Sequence, residues 1–246
     1  MDGMVLAVFL LSIFIGGIVS GLAGFAMGLV VSGIWLHILT PAQTAALIVG
    51  YGLLVQSYSI WKLRHALNWR TVAPFIAGGA IGVPLGAVLL TRMNPDYLRT
   101  GVGVLLVAYS CFFLFRPTVH TVRTDLRADF GVGILNGILG GMTGLAGPII
   151  TIWCQLRGWR KDEQRAVFQP VILAAFTLTA ASLAVNGTIT VPLIKIYLMG
   201  LPVLIAGVWL GLKLYGHLDE AAFRKVILWM LLLSGLVLVV PLPMFR

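Results

Sequence analysis

Eight apolar runs, bounded by charges or turn residues, fill nearly the whole chain at about 5–39, 42–61, 72–91, 98–115, 130–156, 166–185, 191–212 and 226–244. Most approach the ~20 residues that a helix needs to cross a ~30 Å hydrocarbon core at ~1.5 Å per residue. A water-soluble fold cannot absorb them. Of the 246 residues 59% are hydrophobic and only 10% charged, too few to build a polar exterior. The mean hydropathy is +1.01. The fold class expected is therefore an all-α polytopic membrane protein with lipid as its solvent. The opening Met1-Asp2-Gly3-Met4 lacks the positive flank of a signal peptide, so the first run reads as a retained membrane segment. No run of low complexity interrupts the series, and no stretch is long enough for an extramembrane domain.

The chain repeats itself. Gly17-Ile-Val-Ser-Gly-Leu-Ala-Gly24, with Gly28 beyond it, matches Gly133-Ile-Leu-Asn-Gly-Ile-Leu-Gly140, with Gly144 beyond it, at an offset of 116. Gln43-Thr-Ala45 matches Gln164-Arg-Ala166 at 121. Gly82-Val-Pro-Leu-Gly86 matches Gly207-Val-Trp-Leu-Gly211, and Arg99 falls on Arg224, both at 125. Matches in the same order with a slowly growing offset mark two related halves, 1–120 and 121–246, joined by the basic linker 116–127 within one integral membrane domain. Helix starts are legible at Thr40-Pro41 with Gln43 completing a capping box, at Asn94-Pro95, and at Asp162 and Asp219.

Runs 5–39 and 130–156 decide how the halves relate. The first has about 32 residues without a formal charge, roughly 48 Å as one straight helix and too long for a single span. Both carry glycines in mid-run, each costing about 1 kcal/mol against alanine inside a helix. Charge gives an independent test. If all eight runs cross once, the 17 basic residues divide 8 to 9 between the two faces. If 5–39 and 130–156 each fold back as a hairpin, they divide 13 to 4, with Arg92, Arg99, Lys195 and Arg246 alone on the poorer face. The positive-inside rule selects the hairpins and places both termini outside the cytoplasm. A hairpin plus three crossings is an odd count, so the second half enters the membrane upside down. The expectation is two inverted repeats, an arrangement that underlies alternating access in many carriers.

Broken helices at the midplane would aim half-helix ends at a cavity, and a helix N-terminus offers roughly +0.5 charge with free N–H donors. Two opposed N-termini could then hold an anion without the cost of a buried arginine. All eight acidic residues lie at run ends or in loops, which also favours an anion over a cation. The candidate substrate-binding residues are Ser20, Gly21, Gly24, Gly28, Asn136, Gly137, Gly140, Gly141, Thr143, Gly144 and Gln56. Interhelical packing and hydrogen bonding compete with a binding role for each of them. His37, His65, His120 and His217 have no metal-ligand spacing, and no nucleophile or phosphate-loop motif occurs, so neither metal, cofactor nor enzymatic activity is expected. Cys111 and Cys154 read as buried apolar residues, and Trp61, Trp69, Trp153, Trp159 and Trp209 as interfacial anchors.

Gly21-Leu-Ala-Gly-Phe-Ala-Met-Gly28 and Gly137-Ile-Leu-Gly-Gly-Met-Thr-Gly-Leu-Ala-Gly-Pro148 resemble the paired glycine-rich segments of the sulfite exporter TauE/SafE family. So do the Gln-x-Ala helix starts and Gly82-Val-Pro-Leu-Gly86 followed by Asn94 to Arg99. The resemblance implies a permease of the bacterial inner membrane for sulfite, sulfonates or related small anions, with export as the expected direction. The partners expected are that anion and membrane lipid, with homo-oligomerisation left open. The net charge of +9 sits in short loops, where topology places it, and so argues for orientation in the membrane rather than for nucleic acid. Two other classes compete. A membrane-embedded enzyme needs converging Asp, Glu, His or Cys, and a membrane-anchoring subunit needs no internal symmetry.

Overall fold

The computed structural model describes residues 3–92, 95–115, 122, 125–143, 146–185, 187 and 189–239. Among them the chain is helical without strands. The first half runs α1 (Gly3–Ala23), α2 (Met27–Ile38), α3 (Pro41–Lys62), a short 3-10 turn (Arg64–Ala66), α4 (Trp69–Arg92) and α5 (Pro95–Phe115). The second runs α6 (Leu126–Thr143), α7 (Pro148–Leu156), α8 (Lys161–Val185), α9 (Val191–His217) and α10 (Glu220–Val239). Among the described residues α1, α3, α8 and α9 are long and apolar enough to cross a bilayer. The chain is a polytopic all-α membrane protein.

The two long apolar runs do not continue as single helices. Between α1 and α2 the backbone turns at Gly24, whose φ of +92° is strained for any side-chain-bearing residue. The short arm then folds back along the long one. Trp35 on α2 donates its indole N–H to Ser12 Oγ on α1 at 2.8 Å, and its ring packs 5.0 Å from that of Phe9. The second break repeats this design with different chemistry. Trp153 on α7 donates to Asp129 Oδ1 on α6 at 2.8 Å, and Arg157 lies 3.6 Å from the other carboxylate oxygen. Each hairpin is thus closed by a tryptophan from its short arm. Trp153, which by position alone resembles an interfacial anchor, is one of these two ties.

The halves interlock. Helix α4 packs along α6 and α9 along α1, so the fourth helix of each half lies on the long hairpin arm of the other, while α3 pairs with α8 and α5 with α10. Glycines permit these approaches. A Cβ on Gly82 would lie 2.2 Å from Ile134 O, and one on Gly211 would lie 2.2 Å from Ile18 O. The repeated Gly82–Gly86 and Gly207–Gly211 motifs therefore do the same job, removing side chains where backbones meet.

The helix-start signals resolve individually. Gln43 N–H donates to Thr40 Oγ1 at 3.3 Å and Thr40 N–H to Gln43 Oε1 at 3.1 Å, a complete capping box. Asp219 accepts from Ala222 N–H at 2.6 Å and caps α10. Asp162 does not cap α8. It lies within the first turn and accepts the Tyr215 hydroxyl at 2.5 Å, while Glu163 takes the N–H of Arg160. Asn94 lies outside the described residues.

The Gly82→Ala substitution should lower stability by about 1–3 kcal/mol, because the added methyl meets a backbone carbonyl that cannot step aside. Gly101→Ala, with nothing within 4 Å of the new carbon, should leave it unchanged or slightly raised. Thermal midpoints of the purified variants in detergent check both.

Candidate functional site

The two breaks meet. A Cβ on Gly147, at the second break, would lie 2.9 Å from Phe25 Cβ at the first, and one on Gly24 would lie 2.8 Å from the Phe168 ring on α8. The Phe25 and Phe168 rings pack edge-on with centroids 5.9 Å apart. The C-terminus of α1 and the N-termini of α2 and α7 therefore converge against the N-terminal half of α8, at Phe168.

A break inside lipid leaves backbone donors and acceptors that only protein can satisfy. At the first break Gly24 N–H returns to Ser20 O at 2.8 Å, and Gln56 Nε2 donates to Gly24 O at 2.8 Å. At the second, Asn136 donates to Ala146 O at 3.1 Å and accepts Ile150 N–H at 3.2 Å, so one amide bridges both sides of the turn and caps α7. Thr151 Oγ1 adds a bond to Gly147 O at 2.8 Å. By contrast the N-cap residue of α2 is Ala26, which has no side-chain oxygen to offer.

The residues singled out from sequence divide into groups. Ser20, Gly24, Gln56 and Asn136 gather at or beside the breaks, and Gly28 lies buried in the first turn of α2. Gly21 and Gly137 face neighbouring helices: a Cβ on Gly21 would lie 2.6 Å from Val208 O, and one on Gly137 would lie 2.9 Å from Gly79 Cα. Gly140 packs on Ala146 across the second turn and Gly141 is half-buried. Thr143 is the last residue of α6, and Gly144 lies outside the described residues. Thr177 and Thr179 turn their hydroxyls back to Leu173 O and Ala175 O of their own helix. A cavity of about 420 Å³ runs between α4, α6 and α8, with Asn136 and Gly137 in a wall otherwise mostly apolar, including Ile76, Pro170 and Leu178.

Arg165 was not among the sequence candidates. Its place near the end of a run reads as one more loop cation, yet it lies inside α8 and is 0% exposed. Its Nη1 donates to Gly21 O at 3.1 Å, near the end of α1. With the Gln169 amide turned oxygen-first, Nε and Nη2 each donate to it at 3.0 Å. The guanidinium carbon lies 4.2 Å from the centre of the Tyr215 ring. One signal was available: Arg165 and Gln169 are four residues apart, and so on one face of α8.

Asn136→Ala strands Ala146 O and Ile150 N–H in a buried turn, and should cost about 2–4 kcal/mol. The thermal midpoint of the folded protein reports it.

The sulfite exporter TauE/SafE family model matches residues 8–238. Among curated proteins the chain is 24% identical to the probable sulfite/organosulfonate exporter TauE of Cupriavidus necator over 224 residues, covering 89% of this chain and 87% of that one. It is 26% identical over 173 residues to the probable inner membrane transporter protein TsaS of Comamonas testosteroni, covering 69% and 72%. No solved structure matches it. With a family match across nearly its whole length, the chain belongs to the sulfite exporter TauE/SafE family, whose members are transporters rather than enzymes.

Proposed function

We propose that this protein is a secondary carrier that exports sulfite or small organosulfonates across the bacterial inner membrane by alternating access. The observation that carries the reading is the meeting of two helix breaks at Phe25 and Gly147. The names of the relatives, an exporter of sulfite and organosulfonate and an inner membrane transporter, supply the substrate class and the direction.

The helix pairings support an inverted repeat. Exchanging the halves turns the α4–α6 contact into the α9–α1 contact and returns α3–α8 and α5–α10 to themselves. With a hairpin and three crossings per half the two termini share one face, and the distribution of lysine and arginine favours the outside for it. The substrate sits between the hairpin tips, where the first turn of α2, which starts after Ala26 with no side-chain cap from that residue, supplies N–H donors beside Ser20 and Asn136. Each hairpin is clamped by the fourth helix of the opposite half. Rocking one half therefore carries the other half's hairpin with it and opens the tips first to one face, then to the other.

Proteoliposomes loaded with ethanesulfonate should take up labelled ethanesulfonate or sulfite by saturable counterflow, and should not take up a cation of similar size. Folded protein that gives no flux above empty vesicles for any sulfur anion overturns the reading.

A further inference from the structure

The charge at the hairpin tips does not come from helix ends alone. Each tip sets a helix C-terminus, about −0.5, beside an N-terminus, about +0.5. The pairs α1/α2 and α6/α7 therefore cancel to first order, and the convergence of the breaks is nearly neutral. Arg165 changes that by one full unit. Its counterpart in the first half is Thr44, a neutral residue at the matching place in Gln43-Thr-Ala45. Thr44 is equally buried, and its hydroxyl has no partner among the described residues. The positive charge is therefore a feature of one half only, and is not required by the repeat.

The surroundings of Arg165 compensate that charge only in part. It makes no ion pair among the described residues, where the ion pair found joins Arg157 to Asp129. Gly21 O and the Gln169 amide are neutral acceptors, and the Tyr215 side chain also packs against the guanidinium. Asp162, one turn away and half-buried, accepts the Tyr215 hydroxyl and attracts the guanidinium without making a direct ion pair with it. A desolvated guanidinium without a direct ion pair is costly, and an anion brought into contact relieves that cost. The neighbour of Gln169, Phe168, is the residue that packs on Gly24 at the first tip.

We propose that Arg165 is the anion-selecting residue of the transport site, with Gln169 as the placeholder that an incoming anion displaces from Nε and Nη2. This rests on the carrier reading above. The Nε/Nη2 edge is a two-pronged donor that matches two oxygens of a sulfonate or sulfite, and a pair in which both partners are charged is stronger than the bond to a neutral amide that it replaces. Nη1 stays on Gly21 O, so the anion is held at the end of α1 and its binding is transmitted to the first hairpin.

The test measures ethanesulfonate affinity from ligand-dependent thermal midpoints of purified wild type, Arg165→Gln and Arg165→Lys. The expected result is a wild-type response with affinity at least about thirtyfold weaker in Arg165→Gln. Should Arg165→Gln fail to fold, Arg165→Lys decides, because it keeps the charge without the fork: affinity about tenfold weaker supports the assignment, and wild-type affinity overturns it. A lowered midpoint in Arg165→Gln without ligand, together with unchanged affinity, makes Arg165 only a cap on α1 and overturns the assignment while the carrier reading stands. A wild type that responds to no sulfur anion removes both.

Discussion

A backbone that stops being helical inside hydrocarbon must find its hydrogen bonds in protein. The structure depends on that constraint more than on any single packing contact. The two breaks persist because each is buried against the other and because side chains from elsewhere take up the groups left open. Gln56 reaches across from α3, Arg165 from α8, and Asn136 from the long arm of its own hairpin. Until α3 and α8 pack against it the first break lacks its full set of partners, whereas the second is closed by side chains of its own hairpin. The irregular backbone and the three-dimensional assembly are thus one requirement, and the same requirement leaves polar atoms concentrated in a place otherwise lined by phenylalanine and glycine.

The interlocked pairing of the halves follows from glycine. With α4 on α6 and α9 on α1, backbone contact replaces side-chain interdigitation along both crossings. Lipid offers little hydrophobic drive for helices to associate, so close approach and dispersion must supply the cohesion. A smooth glycine surface also presents few knobs that would lock one angle of crossing. The two Trp ties, by contrast, are directional. Trp35 to Ser12 and Trp153 to Asp129 fix each hairpin internally.

Much of this was legible before any coordinates. Run lengths, glycine clusters and the uneven distribution of lysine and arginine pointed to hairpins, and the contacts between Trp35 and Ser12 and between Trp153 and Asp129 show the arms folded together. Side-chain roles were less accessible. A glycine that turns the chain, such as Gly24, and one that admits a neighbouring helix, such as Gly21, look alike in sequence because both only lack a Cβ. Asn136 read equally as a substrate ligand and as a structural hydrogen bonder, and two of its bonds close the second turn. Arg165 was hidden by position: a cation at the start of a run is assigned to water, and its burial depends on Gly21, Gln169 and Tyr215, which lie on three helices.

The central claim is that each glycine-broken run enters the membrane and returns to the face it left. In a background lacking Cys111 and Cys154, single cysteines at Gly3, Thr40, Leu126 and Arg160 can be labelled with a membrane-impermeant maleimide from either face. The account predicts that positions 3 and 40 react together from the outside, and 126 and 160 together from the cytoplasmic face. Labelling of 3 and 40 from opposite faces would contradict it.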